Sequence, residues 1–335
     1  MMYMGTTAIV ILNWNGLPFL QQFVPLLLER TEELHSGDAQ LIVADNGSTD
    51  ESVAWLRQHC PEVGLIQLDK NYGFTGGYNR AFAQLQTWER TFDYFLLLNS
   101  DVEVTPGWLT ALVRWMDARP QVGVCSPKVK AYHRRNYFEH AGACGGFLDW
   151  FGFPFCRGRV LSKIEEDRGQ YDEPVPVFWA SGTSLLIRTQ LYAVAGGLDD
   201  LFFAHMEEID LCWRVQSLGY EVWVIPQSVI YHVGGGTLPN NSPRKLYLNF
   251  RNNLFMLYKN LPLSSRRWRI FLRMCVDGAI ACVYLLTGKW DFFRSVWAAH
   301  RDYRRQKNRL VRPEQPSTVH FSRTTLLREW FRLID

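Results

Sequence analysis

Phe95-Leu96-Leu97-Leu98-Asn99-Ser100-Asp101 is the stretch on which the reading of this chain turns. Four adjacent apolar residues describe a strand covered on both faces, and in open α/β sheets ligands bind outside the carboxyl ends of the strands. Asp101 is therefore expected at the rim of a crevice. A hard carboxylate there suits Mg²⁺ or Mn²⁺, which favour oxygen ligands and keep waters or substrate phosphates in their other positions. Asn-Ser-Asp is also the composition of a turn or a helix cap, so the surrounding chain has to decide.

Upstream, Ala8 to Leu12 reads as a buried first strand closed by Asn13-Trp14-Asn15-Gly16. The helix after it includes Phe19 to Glu29, with Pro25 limiting or kinking it. Leu41 to Ala44 is a second strand ending in Asp45-Asn46-Gly47-Ser48-Thr49-Asp50, where Ser48, Thr49 or Asp50 can cap the next helix. That segment suits either a polar ligand or a structural turn. Leu65 to Leu68 is a short strand. Asn71-Tyr72-Gly73-Phe74-Thr75-Gly76-Gly77-Tyr78-Asn79 follows, with three glycines that let backbone approach a ligand and two asparagines offering donors and acceptors. A helix through Ala81 to Trp88 is expected next. Strands alternating with helices, with polar clusters at the strand ends, imply α/β with a parallel sheet. No Gly-Lys-Ser/Thr phosphate loop and no GxGxxG after the first strand are present, which argues against nucleotide-dependent redox chemistry.

Downstream, residues 120 to 176 show weak periodicity and are expected to form an irregular insert with antiparallel pieces. Phe178 to Arg188 resumes strand character, and Leu191 to Gly196 is a short helix. If a helix begins near Met206, Glu208 shares the face of Leu211, Cys212 and Val215 and points inward. Glu207 then falls outward with Asp210 and Arg214, the last two forming an i,i+4 surface pair. An inward carboxylate at a helix start either caps structure or works on substrate. Gly219 is the expected C′ residue. A strand from Val222 to Ile225 stops at Pro226, and Val229-Ile230-Tyr231 delivers His232 to Gly234-Gly235-Gly236. His232 is a structural histidine unless a partner carboxylate makes it a ligand.

The chain has 335 residues, 47% hydrophobic and 21% charged, enough for one large domain with an appendage or for two domains. Residues 244 to 335 hold 19 of the 36 Lys and Arg but 6 of the 33 Asp and Glu, so a tail of +13 follows a body of −10. Seven scattered cysteines without a CxxC pair suggest neither a disulfide framework nor a zinc site. The N-terminus has no signal-peptide pattern, so a reducing cytoplasm is expected. Val276 to Leu286 is too short to span a bilayer.

Together these segments resemble the family 2 glycosyltransferases of GT-A fold, in particular the rhamnosyltransferase-like branch. The resemblance covers roughly residues 6 to 237 and rests on five blocks in order: Ile9 to Gly16, Val43 to Asp50, Asn71 to Asn79, Leu96 to Asp101, and Gly182 through His232. It implies a mostly parallel central sheet flanked by helices, with a catalytic domain over 1–240 and a basic, aromatic-rich helical region over 241–335. It places the nucleotide near Asn13, Asp45, Asn46, Asn71, Gly73, Asn79 and Asn99, the metal on Asp101 and His232, and the base at Glu208 with Glu207 beside it. Mg²⁺ or Mn²⁺ is the implied cofactor. The implied partners are a dTDP-, UDP- or GDP-linked sugar and a glycan or lipid-linked acceptor of cell-surface polysaccharide, joined with inversion. Two departures stand out: Asn99 replaces the first carboxylate of the acidic motif, and Glu208 stands where aspartate is usual.

The tail interleaves Arg266, Arg267, Arg269 and Arg273 with Trp268, Ile270, Phe271 and Leu272. Trp290, Phe292, Phe293 and Trp297 then precede Arg301, Arg304 and Arg305. This suits a helix lying on the anionic inner face of the plasma membrane, or else a basic face packed on the body. Nucleic acid is not the expected partner. A sugar-nucleotide-binding protein without turnover and a two-carboxylate glycoside hydrolase are the competing functions.

Overall fold

The computed structural model describes residues 4–139, 142–234 and 242–313. Leu96 is paired on both sides, in parallel with Ile9 and antiparallel with Leu186, so the stretch that opened the sequence reading is a central strand. The chain runs β1 (Thr7–Asn13), α1 (Leu17–Arg30), α2 (Glu32–Ser36), β2 (Ala39–Asp45), α3 (Ser52–His59), β3 (Gly64–Gln67), α4 (Gly73–Leu85), β4 (Tyr94–Asn99), β5 (Val102–Val104) and α5 (Trp108–Asp117). It continues through β6 (Val122–Ala131), β7 (Arg134–Phe138), β8 (Gly146–Leu148), β9 (Pro154–Cys156), β10 (Arg159–Val160), β11 (Lys163–Ile164), β12 (Val175–Pro176) and β13 (Ser184–Arg188). After α6 (Thr189–Val194), α7 (Glu207–Ser217) and β14 (Glu221–His232) come three helices, α8 (Pro243–Asn260), α9 (Leu263–Leu286) and α10 (Trp290–Gln306).

The main sheet has the order β12-β14-β6-β13-β4-β1-β2-β3, with β5 and β7 paired at one end, while β8 to β11 make a small second sheet. The expected parallel character holds for β3-β2-β1-β4 and for β14 with β6, whereas β13 runs antiparallel to both its neighbours. Successive side chains of β4 serve opposite faces. Phe95 and Leu97 enter the core under α4, where Phe82 stacks on Phe95 at 4.3 Å between ring centroids. Leu96 and Leu98 enter the core under α1 and α5. All four are essentially fully buried, and truncating one such leucine to alanine costs about 2–5 kcal/mol.

Several expectations need correcting. The glycine-rich block is helix from Gly73 onward, because Gly76 and Gly77 pack closely rather than form a loop: a Cβ on Gly77 would lie 2.6 Å from the Leu12 side chain. Residues 122–131 are a ten-residue central strand instead of irregular chain. Their pattern was misleading because Lys128 is buried, paired with Asp167 at 3.2 Å and with Asp172. Pro226 does not end a strand; β14 continues through a bulge between Ile225 and Val229, where the missing N–H costs no ladder bond. Helix α1 likewise continues through Pro25, which is exposed. None of the three candidate residues is the N-cap of α3: that position is Glu51, and Asp50, just before it, accepts from the Ser52 amide through Oδ1 at 3.1 Å. Gly235 and Gly236 of the glycine bend, and tail residues 314–335, lie outside the described residues.

Helix α8 is part of the main core, with Leu254, Phe255, Met256 and Leu257 buried alongside Phe202, Ile209 and Trp213. Helix α9 buries Ile270 and Ala281 together with two charged residues. Its buried face carries Arg273 and Asp277, bonded to each other at 2.8 Å, while Trp268, Phe271, Leu272, Val283 and Leu286 face outward. Arg273 is thus not a membrane-facing residue, since it also bonds Asn253.

Candidate active site at the carboxyl edge of the sheet

The ends of β1 and β2 lie side by side, with Asn13 opposite Asp45. Asn13 Nδ2 donates to Asp45 Oδ1 at 3.1 Å and to Ser48 Oγ at 3.2 Å, while the Ser48 amide donates to Asp45 Oδ2 at 3.0 Å. Asn46 joins this cluster to the next block. Its Nδ2 donates to Asn71 Oδ1 at 3.1 Å and to the Gly73 carbonyl at 3.0 Å, and its Oδ1 accepts from the Tyr72 amide at 3.0 Å. Gly73 has φ +73°, and a Cβ there would meet the Phe203 ring at 2.5 Å, so both conformation and space demand glycine. Asn13, Asp45, Asn46, Asn71 and Gly73 therefore form one hydrogen-bonded group. Within it Asn13 Oδ1 is buried without a partner among the described residues, an acceptor left available for a ligand donor.

Asn79 is elsewhere engaged. Its Nδ2 donates to the Leu198 carbonyl and to Asp200 Oδ1, both at 2.7 Å, and its Oδ1 accepts from Tyr192 at 2.6 Å. It holds the loop ahead of α7 and does not join the Asn13 group.

Asp101 follows β4, and His232 ends β14, which pairs with β5 just beyond Asp101. His232 Nε2 lies 3.1 Å from Asp101 Oδ1 and 3.4 Å from Asn99 Nδ2, and Asp101 Oδ2 accepts from the Gly234 amide at 3.1 Å. The other ring nitrogen, Nδ1, lies 3.3 Å from Glu139 Oε2. Burial alone would lower the imidazole pKa, but the Asp101 and Glu139 carboxylates overcome this and raise it to about 10. Glu139 has no motif around it and was missed in the sequence; only the return of the chain after β7 brings it to His232. Two cis ligands of one octahedral cation lie about 3 Å apart when each bond is about 2.1 Å, so the Asp101–His232 separation fits such an ion. The Glu139 contact is of the kind that orients a ligating histidine through its second nitrogen. Among the described residues, no group of three or more acidic, His or Cys side chains is arranged as a metal cage.

The carboxylates of α7 approach from across β13. The Asn99 amide donates to the Thr183 carbonyl at 3.0 Å, and a Cβ on neighbouring Gly182 would lie 3.7 Å from Glu208 Cβ and 3.4 Å from the Phe74 ring. Glu208 thus has its Cβ beside the Gly182–Thr183 backbone that bonds Asn99. Burial pushes its pKa up to about 7 against the opposing pull of the Glu208, Ile209 and Met206 amides, and its Oε2 has no partner among the described residues. Glu207 is not outward as expected. It is buried and, through desolvation and then its neighbour Glu208, held well above the usual carboxylate range. Asp210 and Arg214 are likewise buried rather than a surface pair: Lys259 and Asn260 of α8 bond Asp210 at 3.0 and 2.7 Å. Helical phase assigned the polar face correctly, but α8 covers it.

The loop delivering these carboxylates is unusual. Phe203, Ala204, His205 and Met206 include three non-glycine residues of positive φ, at 65°, 71° and 73° for Phe203, His205 and Met206, each costing about 1–2 kcal/mol. The Phe203 carbonyl accepts from the first amides of α4, Phe74 at 2.8 Å and Thr75 at 3.3 Å. That end of α4 is thereby capped by protein, and the loop is joined to the Asn71–Gly73 turn.

Residues 8–192 match the family description Glycosyl transferase family 2. An N-acetylglucosaminyl-diphospho-decaprenol L-rhamnosyltransferase of Mycobacterium tuberculosis is 26% identical over 285 residues, covering 82% of this chain and 90% of that one. Among solved structures, the Pyrobaculum calidifontis mannosyltransferase PcManGT with GDP-Man and Mn²⁺ superposes with TM-score 0.55 at 12% identity, covering 90% of this chain and 88% of that chain. GalNAc-T7 with UDP, GalNAc and Mn²⁺ gives TM-score 0.59 at 15% identity, over 78% of this chain and 49% of that chain. The sheet order, the strand-end constellation and the family match agree: the chain belongs to glycosyltransferase family 2 and adopts the GT-A fold.

Proposed function

We propose that this enzyme transfers a hexosyl or deoxyhexosyl group, with inversion, from a nucleotide-diphosphate sugar to a hydroxyl of a glycan or lipid-linked acceptor in cell-surface polysaccharide synthesis. The observation that carries the reading is the Glu208 Cβ beside Gly182, one residue from the Thr183 carbonyl that accepts from the Asn99 amide. As the acceptor oxygen bonds to the anomeric carbon, the bond from that carbon to the diphosphate oxygen breaks and Glu208 takes the hydroxyl proton. A pKa near 7 lets Glu208 be deprotonated before the step yet remain basic enough to accept the proton. Asp101 and His232 would hold Mg²⁺ or Mn²⁺, with the donor diphosphate and water completing its coordination. When bound, the cation offsets charge developing on the leaving diphosphate. Asn13, Asp45, Asn46, Asn71 and Gly73 would hold the dTDP-, UDP- or GDP-linked nucleotide, Asn99 contacts the diphosphate end, and Asn79 acts through the loop it holds.

The Mycobacterium tuberculosis relative supports a deoxyhexosyl donor and a lipid-diphosphate acceptor. The outward apolar stripe of α9 supports a cytoplasmic enzyme lying on the inner face of the membrane. Phe271 and Leu286 are 66% and 85% exposed there, and Trp290 and Trp297 of α10 are exposed nearby. Among the described residues no helix is long and apolar enough to cross a membrane. We read 1–240 as the catalytic domain and α9 and α10 within 241–335 as the membrane-facing part, with α8 packed into the catalytic core.

Titrating the chain with a panel of nucleotide sugars, with and without Mn²⁺, tests the reading. One donor should bind in a Mn²⁺-dependent way and be consumed when acceptor is added. Metal-independent cleavage of a glycoside would point to hydrolysis instead. Asn99 in the acidic motif favours a second reading, a sugar-nucleotide-binding protein without turnover, which would show donor binding with no transfer to any acceptor.

A further inference from the structure

We propose that Asn252, with Arg251 beside it, is a positioning residue for Glu208. This rests on the reading of Glu208 as the base. Asn252 is fully buried in the middle of α8, and the two hydrogens of its Nδ2 are shared among three carbonyls of one loop, those of Phe202, Ala204 and His205, at 2.9, 2.8 and 2.8 Å. Arg251 Nη2 adds the carbonyls of Leu201 and Phe202 at 3.0 and 3.1 Å, and Arg251 Nε fixes the amide by donating to Asn252 Oδ1 at 2.9 Å. Two adjacent side chains thus bind four carbonyls of the segment that ends at Glu207.

That segment needs an external hold. Left-handed backbone at Phe203, His205 and Met206 is a conformation L-residues leave unless the surroundings over-determine it. Glycine would tolerate it, but none is present, so the conformation is imposed from outside. On one side the α4 amides of Phe74 and Thr75 grip the Phe203 carbonyl, and on the other α8 grips its neighbours. Met206 immediately precedes α7, so its φ sets the direction in which the first turn, with Glu207 and Glu208, leaves the loop. Asparagine suits this task because its amide donates to carbonyls while its oxygen accepts from Arg251. Aspartate would replace the donor with a third acceptor, and alanine would leave buried carbonyls unsatisfied.

It follows that α8 belongs to the catalytic apparatus and not to a membrane anchor. The test uses the full chain and the variants Asn252→Ala and Arg251→Lys, with Glu208→Gln in parallel. Amide hydrogen exchange of residues 201–206 should accelerate in Asn252→Ala while β4 and β1 stay protected. Misplacing the base should lower kcat about 100-fold with KM for the donor unchanged, and the ascending limb of kcat against pH should move to lower pH as Glu208 becomes hydrated. Arg251→Lys, which keeps charge and one donor, should give the same changes in smaller measure. Unchanged loop exchange overturns the proposal, as does faster exchange with kcat and the pH limb unmoved. A loss of activity matched by a lower folded fraction, with normal kcat per folded molecule, also overturns it. Absence of transfer by the unmodified chain with every donor strikes the functional reading instead, whereas loop exchange judges the clamp without substrate.

Discussion

His232 Nε2 lies 3.1 Å from Asp101 Oδ1, so the residue ending β14 and the residue following β4 meet although 131 positions separate them in the chain. The contact joins two strand ends that are not neighbours in the sheet, β14 reaching the acidic motif through β5.

The pair should govern Mn²⁺-dependent donor binding. Asp101→Asn removes its charged ligand and should weaken that binding most, with His232→Ala losing less because the imidazole, whose pKa Asp101 and Glu139 raise to about 10, has to give up a proton before it coordinates. Glu139→Gln should lower metal affinity about 10-fold or more by loosening His232. Calorimetric titration of donor with and without Mn²⁺ checks all three, and equal Mn²⁺ dependence in Asp101→Asn would remove the site from consideration.

Glu208→Gln should abolish transfer and leave donor binding nearly intact, since the amide keeps the shape and cannot take a proton. Glu207→Gln should be mild for a reason different from exposure: burial and the neighbouring Glu208 raise its pKa, so the fold favours its neutral form, which glutamine resembles. Transfer by the unmodified chain should rise as pH passes through about 7, as Glu208 loses its proton. Its raised pKa also means that folding favours the protonated form, so this contribution to stability is present below the ordinary value of 4.5 and lost as pH rises through about 7. Glu208→Gln should accordingly be the more heat-resistant protein above pH 7. If Glu207→Gln were inactive and Glu208→Gln active, the roles would have to be exchanged.

Asp210 carries a different charge logic. Burial would raise its pKa, but Arg214 and Lys259 hold it below the usual 3.8. The resulting stability is present above that ordinary value and disappears as pH falls through the lower folded one. Asp210→Ala strands two buried cations and should cost about 3–5 kcal/mol, measured by urea unfolding at neutral pH. A variant within experimental error of the parent would show that the network carries no net stability.

Membrane binding should have two components. Basic residues near an anionic surface contribute about 1 kcal/mol each and are screened by salt, whereas the outward side chains of α9 add a salt-resistant part. Sedimentation with anionic liposomes should fall without vanishing as salt rises, neutral liposomes should bind poorly, and Phe271→Glu with Leu286→Glu should remove the salt-resistant part. Equal partitioning onto both lipids, or none onto either, counts against the anchor.

The strand ends and their chemistry were legible in the chain because each rests on local order. Phe95 to Asp101 shows apolar strand and polar end within seven residues, and the same holds for Ala44-Asp45 and for Tyr231-His232. Helical phase put Glu208 inward and Glu207 outward, whereas Glu207 is the buried one and Glu208 is half-buried. What local order could not show was the environment of the opposite face. Asp210 and Arg214 read as a surface pair because nothing in α7 announces that α8, more than thirty residues later, brings Lys259 and Asn260 against them. Glu139 reaches His232, and Asn252 reaches the loop before Glu207, by the same route. Periodicity records which residues of an element share a side, so the sequence determined the fold and named the candidate groups. Burial, pKa and loop conformation depend on which distant element covers that side, and the tertiary structure alone decided those.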